Sequence, residues 1–112
     1  MIKEILTAAG VLHRRGRFTN PPSGTYAVFF DDIDADGADP VGLSTPGGLP
    51  RIYHHDARVE LYEAKPDDAA EASIEAELDA RGIPWTKQDR YWIQTEQLYQ
   101  VLYDFSYTSK TK

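Results

Sequence analysis

Residues 98–107 read Leu98-Tyr-Gln-Val-Leu-Tyr-Asp-Phe-Ser-Tyr107. Tyr99, Val101, Tyr103, Phe105 and Tyr107 fall on one face of an extended chain. Gln100, Asp104 and Ser106 fall on the other, with Leu98 and Leu102 as apolar exceptions. Period-two alternation of this kind marks a strand covered on one side and open on the other. The cover is expected from the segment just upstream. Lys65-Pro-Asp-Asp68 opens a helix, with Pro66 suited to the first turn and Asp68 and Glu71 spaced as a capping box. Ala70, Ile74 and Leu78 form a narrow apolar stripe, which leaves Glu71, Glu75 and Asp79 on the wet side. Gly82 suits the left-handed position after the helix, and Ile83 is placed to fold back on Leu78.

The rest of the chain is organised around this pair. Ile2, Ile5, Leu6 and Ala9 predict a short amphipathic helix ended by Gly10. Val11-Leu12 predicts a brief strand, His13-Arg-Arg-Gly-Arg17 a basic turn, and Asn20-Pro-Pro-Ser-Gly24 a loop. Thr25–Phe30 reads as a buried strand, residues 31–49 as a long loop rich in Gly and Pro, and the stretch from Pro50 or Arg51 to Glu63 as a second long strand. Trp85–Lys87 and Asp89–Gln94 read as a short hairpin or edge strand turning at Gln88-Asp89-Arg90, and residues 109–112 as a frayed tail. The expected architecture is one α+β domain over residues 1–112. It has an antiparallel sheet of about four strands, with two helices packed on one face.

Composition narrows the function. The 112 residues contain no cysteine, which removes disulfides and thiolate metal sites and fits a reducing compartment. No apolar run approaches 18 residues, so no membrane span is expected, and the opening Met1–Gly10 reads as a helix, not a signal peptide. The net charge of −6 is uneven. Residues 1–30 hold Lys3, Arg14, Arg15 and Arg17 against Glu4, whereas residues 31–83 hold fourteen acids against Arg51, Arg58, Lys65 and Arg81. An acidic middle argues against a protein that grips phosphates, and no sequence-specific nucleic-acid binding is expected. The aromatic stripe of residues 99–107 fits a core better than a base-stacking platform.

Chemical motifs are sparse. Asp32, Asp34, Asp36 and Gly37 reproduce the first half of a calcium loop, but Leu43 stands where the bidentate glutamate belongs and Pro40 and Gly42 block an exiting helix. His54 and His55 are adjacent on a strand and point to opposite faces, and His13 is distant, so a shared zinc site is disfavoured. Ser23, Ser44, Ser73 and Ser106 lack a nucleophile motif, and Pro46-Gly-Gly48 lacks the Lys-Ser/Thr of a phosphate loop. These features predict a protein that is not an enzyme and carries no cofactor. They leave surfaces as the candidates: the basic cluster Arg14, Arg15 and Arg17, the open sheet face with Arg58, Glu60 and Tyr62, and Asp36 and Asp39 in the long loop.

Four segments carry a resemblance: Thr25–Asp32, Ala35–Asp39, Ala57–Glu63 and Trp92–Tyr107. Together they resemble a family of small prophage proteins among the head–tail joining and tail components of long-tailed phages, and the order of elements is similar to the tail terminator family. The resemblance implies a virion structural protein of the tail or neck, made in the host cytoplasm. It implies self-association as a ring, usually of six copies, that meets the tail tube and the head connector. Heterologous contacts that close on themselves build such rings, and acidic residues facing the bore would repel DNA phosphates. The competing expectation is a monomeric intracellular module that captures a partner protein on the same open sheet face or edge.

Overall fold

The computed structural model describes residues 1–35 and 52–109. The elements run α1 (Ile2–Ala8), β1 (Leu12–Arg15), β2 (Tyr26–Ala35), β3 (Tyr53–Glu63), α2 (Asp68–Ala80), β4 (Trp85–Ile93) and β5 (Leu98–Ser109). The fold is α+β. Five strands form one sheet in the order β1-β2-β3-β5-β4. The expected antiparallel sheet of about four strands gains a member, because β1 joins β2 in parallel, with Leu12 opposite Tyr26 and Arg15 opposite Phe29. The other pairings are antiparallel. The expected basic turn is therefore half wrong: His13, Arg14 and Arg15 are strand, and only Gly16, at φ +81°, begins the turn.

Registry decides which side chains meet. On β3 the residues His55, Ala57, Val59, Leu61 and Glu63 face inward and are buried. Their partners on β5 are Tyr107, Phe105, Tyr103, Val101 and Tyr99. Val101, Tyr103 and Phe105 are buried, as the alternation predicts, while Tyr99 and Tyr107 at the two ends are half-buried. Ala27 and Phe29 of β2 continue this inner face, and Ile2, Ile5, Leu6, Ile74, Leu78 and Ile83 from the helical segments close over it as one core. Fully burying a side chain of this size contributes about 1.5–3 kcal/mol, so the ribbon of β3 and β5 and the helical side chains that close over it together stabilise the domain.

Helix α2 begins one residue earlier than the capping-box spacing implies. Asp67, not Asp68, is the cap: its Oδ1 accepts the Ala70 N–H at 3.0 Å, and its Oδ2 accepts the Thr25 hydroxyl at 2.6 Å. These two hydrogen bonds, Thr25 first, hold the Asp67 carboxyl below its ordinary pKa. Asp67→Ala removes the cap and the tie to β2, and an N-cap deletion costs about 1 kcal/mol. Thermal melting should show that loss at neutral pH and a smaller one in acid, where the parent carboxylate is itself protonated. At the other end the sequence reading holds: Gly82 sits at φ +68° and the Ile83 N–H bonds the Leu78 carbonyl at 3.0 Å.

Three further differences have physical causes. Residues 31–35, expected as loop, extend β2, because each pairs with β3 from Asp31 opposite Ala57 to Ala35 opposite Tyr53. Of the two readings of residues 85–94 the edge strand holds, as β4, but the expected turn at Gln88-Asp89-Arg90 is a slip in register between Gln88 and Tyr91 that sets Asp89 and Arg90 together against Val101. The reversal of the chain lies at residues 94–97, where Gln97 takes φ 55°. Ser109 belongs to β5, while residues 110–112 of the expected tail and residues 36–49 of the expected loop lie outside the described residues.

Candidate interaction surfaces

The bulge in β4 turns Arg90 to the inner face, a common use of an extra strand residue. Its Nε donates to Glu63 Oε1 at 3.0 Å, and one terminal nitrogen donates to Glu71 Oε2 at 2.6 Å and to Asp68 Oδ1 at 2.7 Å. Lys87, two register positions away, reaches Glu71 at 2.9 Å and Glu75 at 2.7 Å. Glu75 also accepts the Tyr103 hydroxyl at 2.7 Å. Glu71 and Glu75, expected on the wet side of α2, are thus turned to the sheet by cations that the helix pattern alone does not reveal.

This knot contains a carboxyl pair with opposed protonation. Burial, together with a hydrogen bond to Glu71 and its like charge, pushes Glu63 up to about 7 against the pull of Arg90. Burial acts on Glu71 in the same sense, but hydrogen bonds from Glu63, Lys87 and Arg90 outweigh it and bring Glu71 down to about 2. One proton is shared on Glu63, and the negative charge rests on Glu71 between two cations. The arrangement fastens α2 to the β4 edge.

A second polar cluster joins strand ends that lie far apart in sequence. The His55 ring is 3% exposed. Its Nδ1 donates to Asp31 Oδ1 at 2.9 Å, and its Nε2 meets the Ser109 hydroxyl at 2.7 Å. Tyr107 stacks flat on it, with centroids 4.3 Å apart. The order Asp–His–Ser is that of a hydrolytic triad, but here a buried ring under a tyrosine ties β2, β3 and β5 together. The grouping is not legible in the sequence, where Asp31 reads as loop and Ser109 as tail.

On the outer face the expected contact residues are mostly occupied within the chain. Arg58 and Asp104 stand opposite across β3 and β5 and make a two-point ion pair at 2.8 and 3.3 Å. The Tyr62 hydroxyl donates to Glu60 at 2.8 Å and accepts from Gln100 at 2.9 Å. Burial and the Glu60 bond push that phenol up to about 12. Tyr62 also stacks on Tyr26, whose other side meets Phe18 edge-on. These rings floor a groove of about 370 Å³ rimmed by Arg17, Glu60 and Glu96. Asp32 and Asp34 lie along an extended strand on this face, not wrapped in a loop, so the calcium-loop reading loses its first two ligands to β2. Asp36, its third, and Asp39 lie outside the described residues. Arg14, Arg15 and Arg17 are exposed at the β1 edge, and among the described residues none pairs with a carboxylate. No helix among the described residues is long and apolar enough to cross a membrane.

No protein-family model matches the chain, and no curated protein does. Among solved structures the fold is similar to a chain in the virion of a native gene transfer agent particle. The TM-score is 0.55 at 14% identity, and the match covers 91% of this chain and 81% of that one. At this identity the likeness is one of fold, and it extends over nearly the whole domain.

Proposed function

We propose that this protein is a structural component of a phage-like virion, placed at the tail end or head–tail interface as a tail terminator or tail completion protein and assembled as an oligomeric ring. The observation that carries the reading is the fold likeness to a chain of a gene transfer agent virion over 91% of the domain. The surfaces support it. The polar clusters inside the domain are spent on holding strands and helix together, while two dissimilar strands, β1 and β4, form the edges of the sheet, unpaired on their outer sides among the described residues. Such a molecule acts by docking to copies of itself and to neighbouring virion proteins. Acidic groups on the outer face, among them Asp32, Asp34 and Asp56, suit a surface past which DNA moves without adhering.

The test is made on particles. Mass spectrometry of purified virions from an induced producer should find the chain in a fixed, low copy number relative to the major capsid protein. Deleting its gene should leave heads and tails unjoined or tails of abnormal length by electron microscopy. Particles that lack the chain and mature normally without its gene would favour the monomeric protein-binding module.

A further inference from the structure

The sheet ends in two different edges, and their chemistry is complementary. At one edge lies β1, four residues long, with Leu12 61% exposed. Arg14 shares the outer face with Leu12, and Arg17 is exposed in the turn beyond, neither with a carboxylate partner among the described residues, while Arg15 lies on the other face and donates to the Asp31 carbonyl. At the other edge lies β4, with Tyr91 64% and Trp92 38% exposed. Behind β4 stands α2, whose thirteen residues include five acids and no lysine or arginine. The cations of β4, Lys87 and Arg90, point inward and are consumed by α2. Asp89 is exposed in the bulge, and Asp68 at the helix start, although its Oδ1 accepts from Arg90, keeps an almost wholly exposed side chain, so both lie on a flank of negative balance.

We infer that the β1 edge of one copy docks against the β4 edge and α2 flank of the next. The second copy as occupant rests on the ring proposed above, and the charge complementarity selects the surfaces. Leu12 and the arginines on one side, and Tyr91 and Trp92 on the other, are the residue types that anchor interface centres. The two patches differ and lie at opposite ends of one sheet, so the contact is head-to-tail, the kind that closes into a ring or runs on as a filament. The β4 bulge breaks its ladder, so side chains make the contact, not a continuous sheet.

Sedimentation velocity over a concentration series tests this with charge reversals. Arg14→Glu/Arg17→Glu alters one edge, and Gln88→Lys/Asp89→Lys the other, which leaves the Asp68–Arg90 pair in place. Each set alone should weaken self-association roughly tenfold or more, because like charges now meet, while thermal melting shows the fold retained. A chain carrying both sets, or an equal mixture of the two variants, should assemble again, since every contact regains opposite charges. If the parent assembles and the reversals leave its association unchanged, or if the combined variant is not restored, this contact is wrong and the ring reading stands. A parent that stays monomeric at every concentration, and with purified virions added, removes the ring and this contact together.

Discussion

Tyr103→Ala should lower stability by about 3–5 kcal/mol, the cost of truncating a buried aromatic, and depress the melting temperature by roughly 10–20 °C for a domain of this size. Tyr103 is the largest fully buried side chain in the core. It stands opposite Val59 on β3 and Lys87 on β4, meets the edge of Trp85 at 5.8 Å, and carries the Lys87 ammonium 5.6 Å from its ring centre. Its hydroxyl donates to Glu75, and burial first, then that bond, drives the phenol well above its ordinary pKa. Truncation leaves a cavity between the sheet and α2 and removes a partner from Glu75. Tyr103→Phe separates the two effects: it keeps the packing and forfeits one hydrogen bond, worth about 1 kcal/mol. Differential scanning calorimetry of both variants decides the matter. A Tyr103→Ala protein that melts like the parent contradicts the placement of β5 under α2.

Arg90→Ala should be comparably damaging at high pH and milder at low pH. Arg90 is the cation paired with Glu63, whose side chain is completely buried. Leaving a carboxylate so buried without its cation is strongly unfavourable. Glu63 can escape that cost by holding its proton, so the loss grows as pH passes its midpoint of about 7. The parent carries the same signature. Between the ordinary carboxyl range and about 7, folded Glu63 keeps a proton that the unfolded chain has released, so its contribution to stability falls as pH rises. Glu71 acts in the opposite sense: its depressed pKa gives stability that is lost as pH falls from the ordinary range toward about 2. Glu63→Gln should abolish the falling limb and leave the acid limb in place. Urea unfolding of the three proteins on both sides of the Glu63 midpoint measures this. A pH-independent penalty for Arg90→Ala would contradict the shared proton.

The parts of this fold that were legible in the sequence are those governed by local pattern. The alternation of residues 98–107 announced β5 and its buried side, because the pleat repeats every two residues. Gly82 followed by Ile83 announced the end of α2, because a left-handed glycine and one hydrophobic return contact suffice to stop a helix. What stayed hidden depended on partners distant in the chain. His13-Arg-Arg has the composition of a turn and becomes strand only because β2 offers it a parallel ladder. Asp31–Ala35 is poor in strand formers and is held extended by the facing residues of β3. Asp89 and Arg90 break the period of β4, which reads as a turn until the register with Val101 reveals a bulge. Glu71 and Glu75 look wet on a helical wheel, since nothing near them in sequence shows that Lys87 and Arg90 wait across the sheet.

The candidate surfaces divide the same way. The arginine cluster is visible as a run of like charge, and it lies exposed at an edge with no carboxylate partner among the described residues. Arg58, Glu60 and Tyr62 were correctly placed on the outer face, but cross-strand partners engage them, which sequence spacing does not disclose. The β4 edge, with Tyr91 and Trp92, was missed as a surface because aromatic residues in a strand read first as core. Their exposure follows from β4 being last in the sheet and from the bulge that shifts its phase.

Hydrogen exchange followed by mass spectrometry, on the free chain and on the chain within purified virions, tests most directly whether the molecule works through its edges. The expected result is slow exchange throughout β3 and β5 in both states, with new protection on assembly concentrated in β1, β4 and the start of α2. Rapid exchange of the β5 ribbon in the free chain, or assembly protection confined to the outer face with both edges unchanged, would contradict the account.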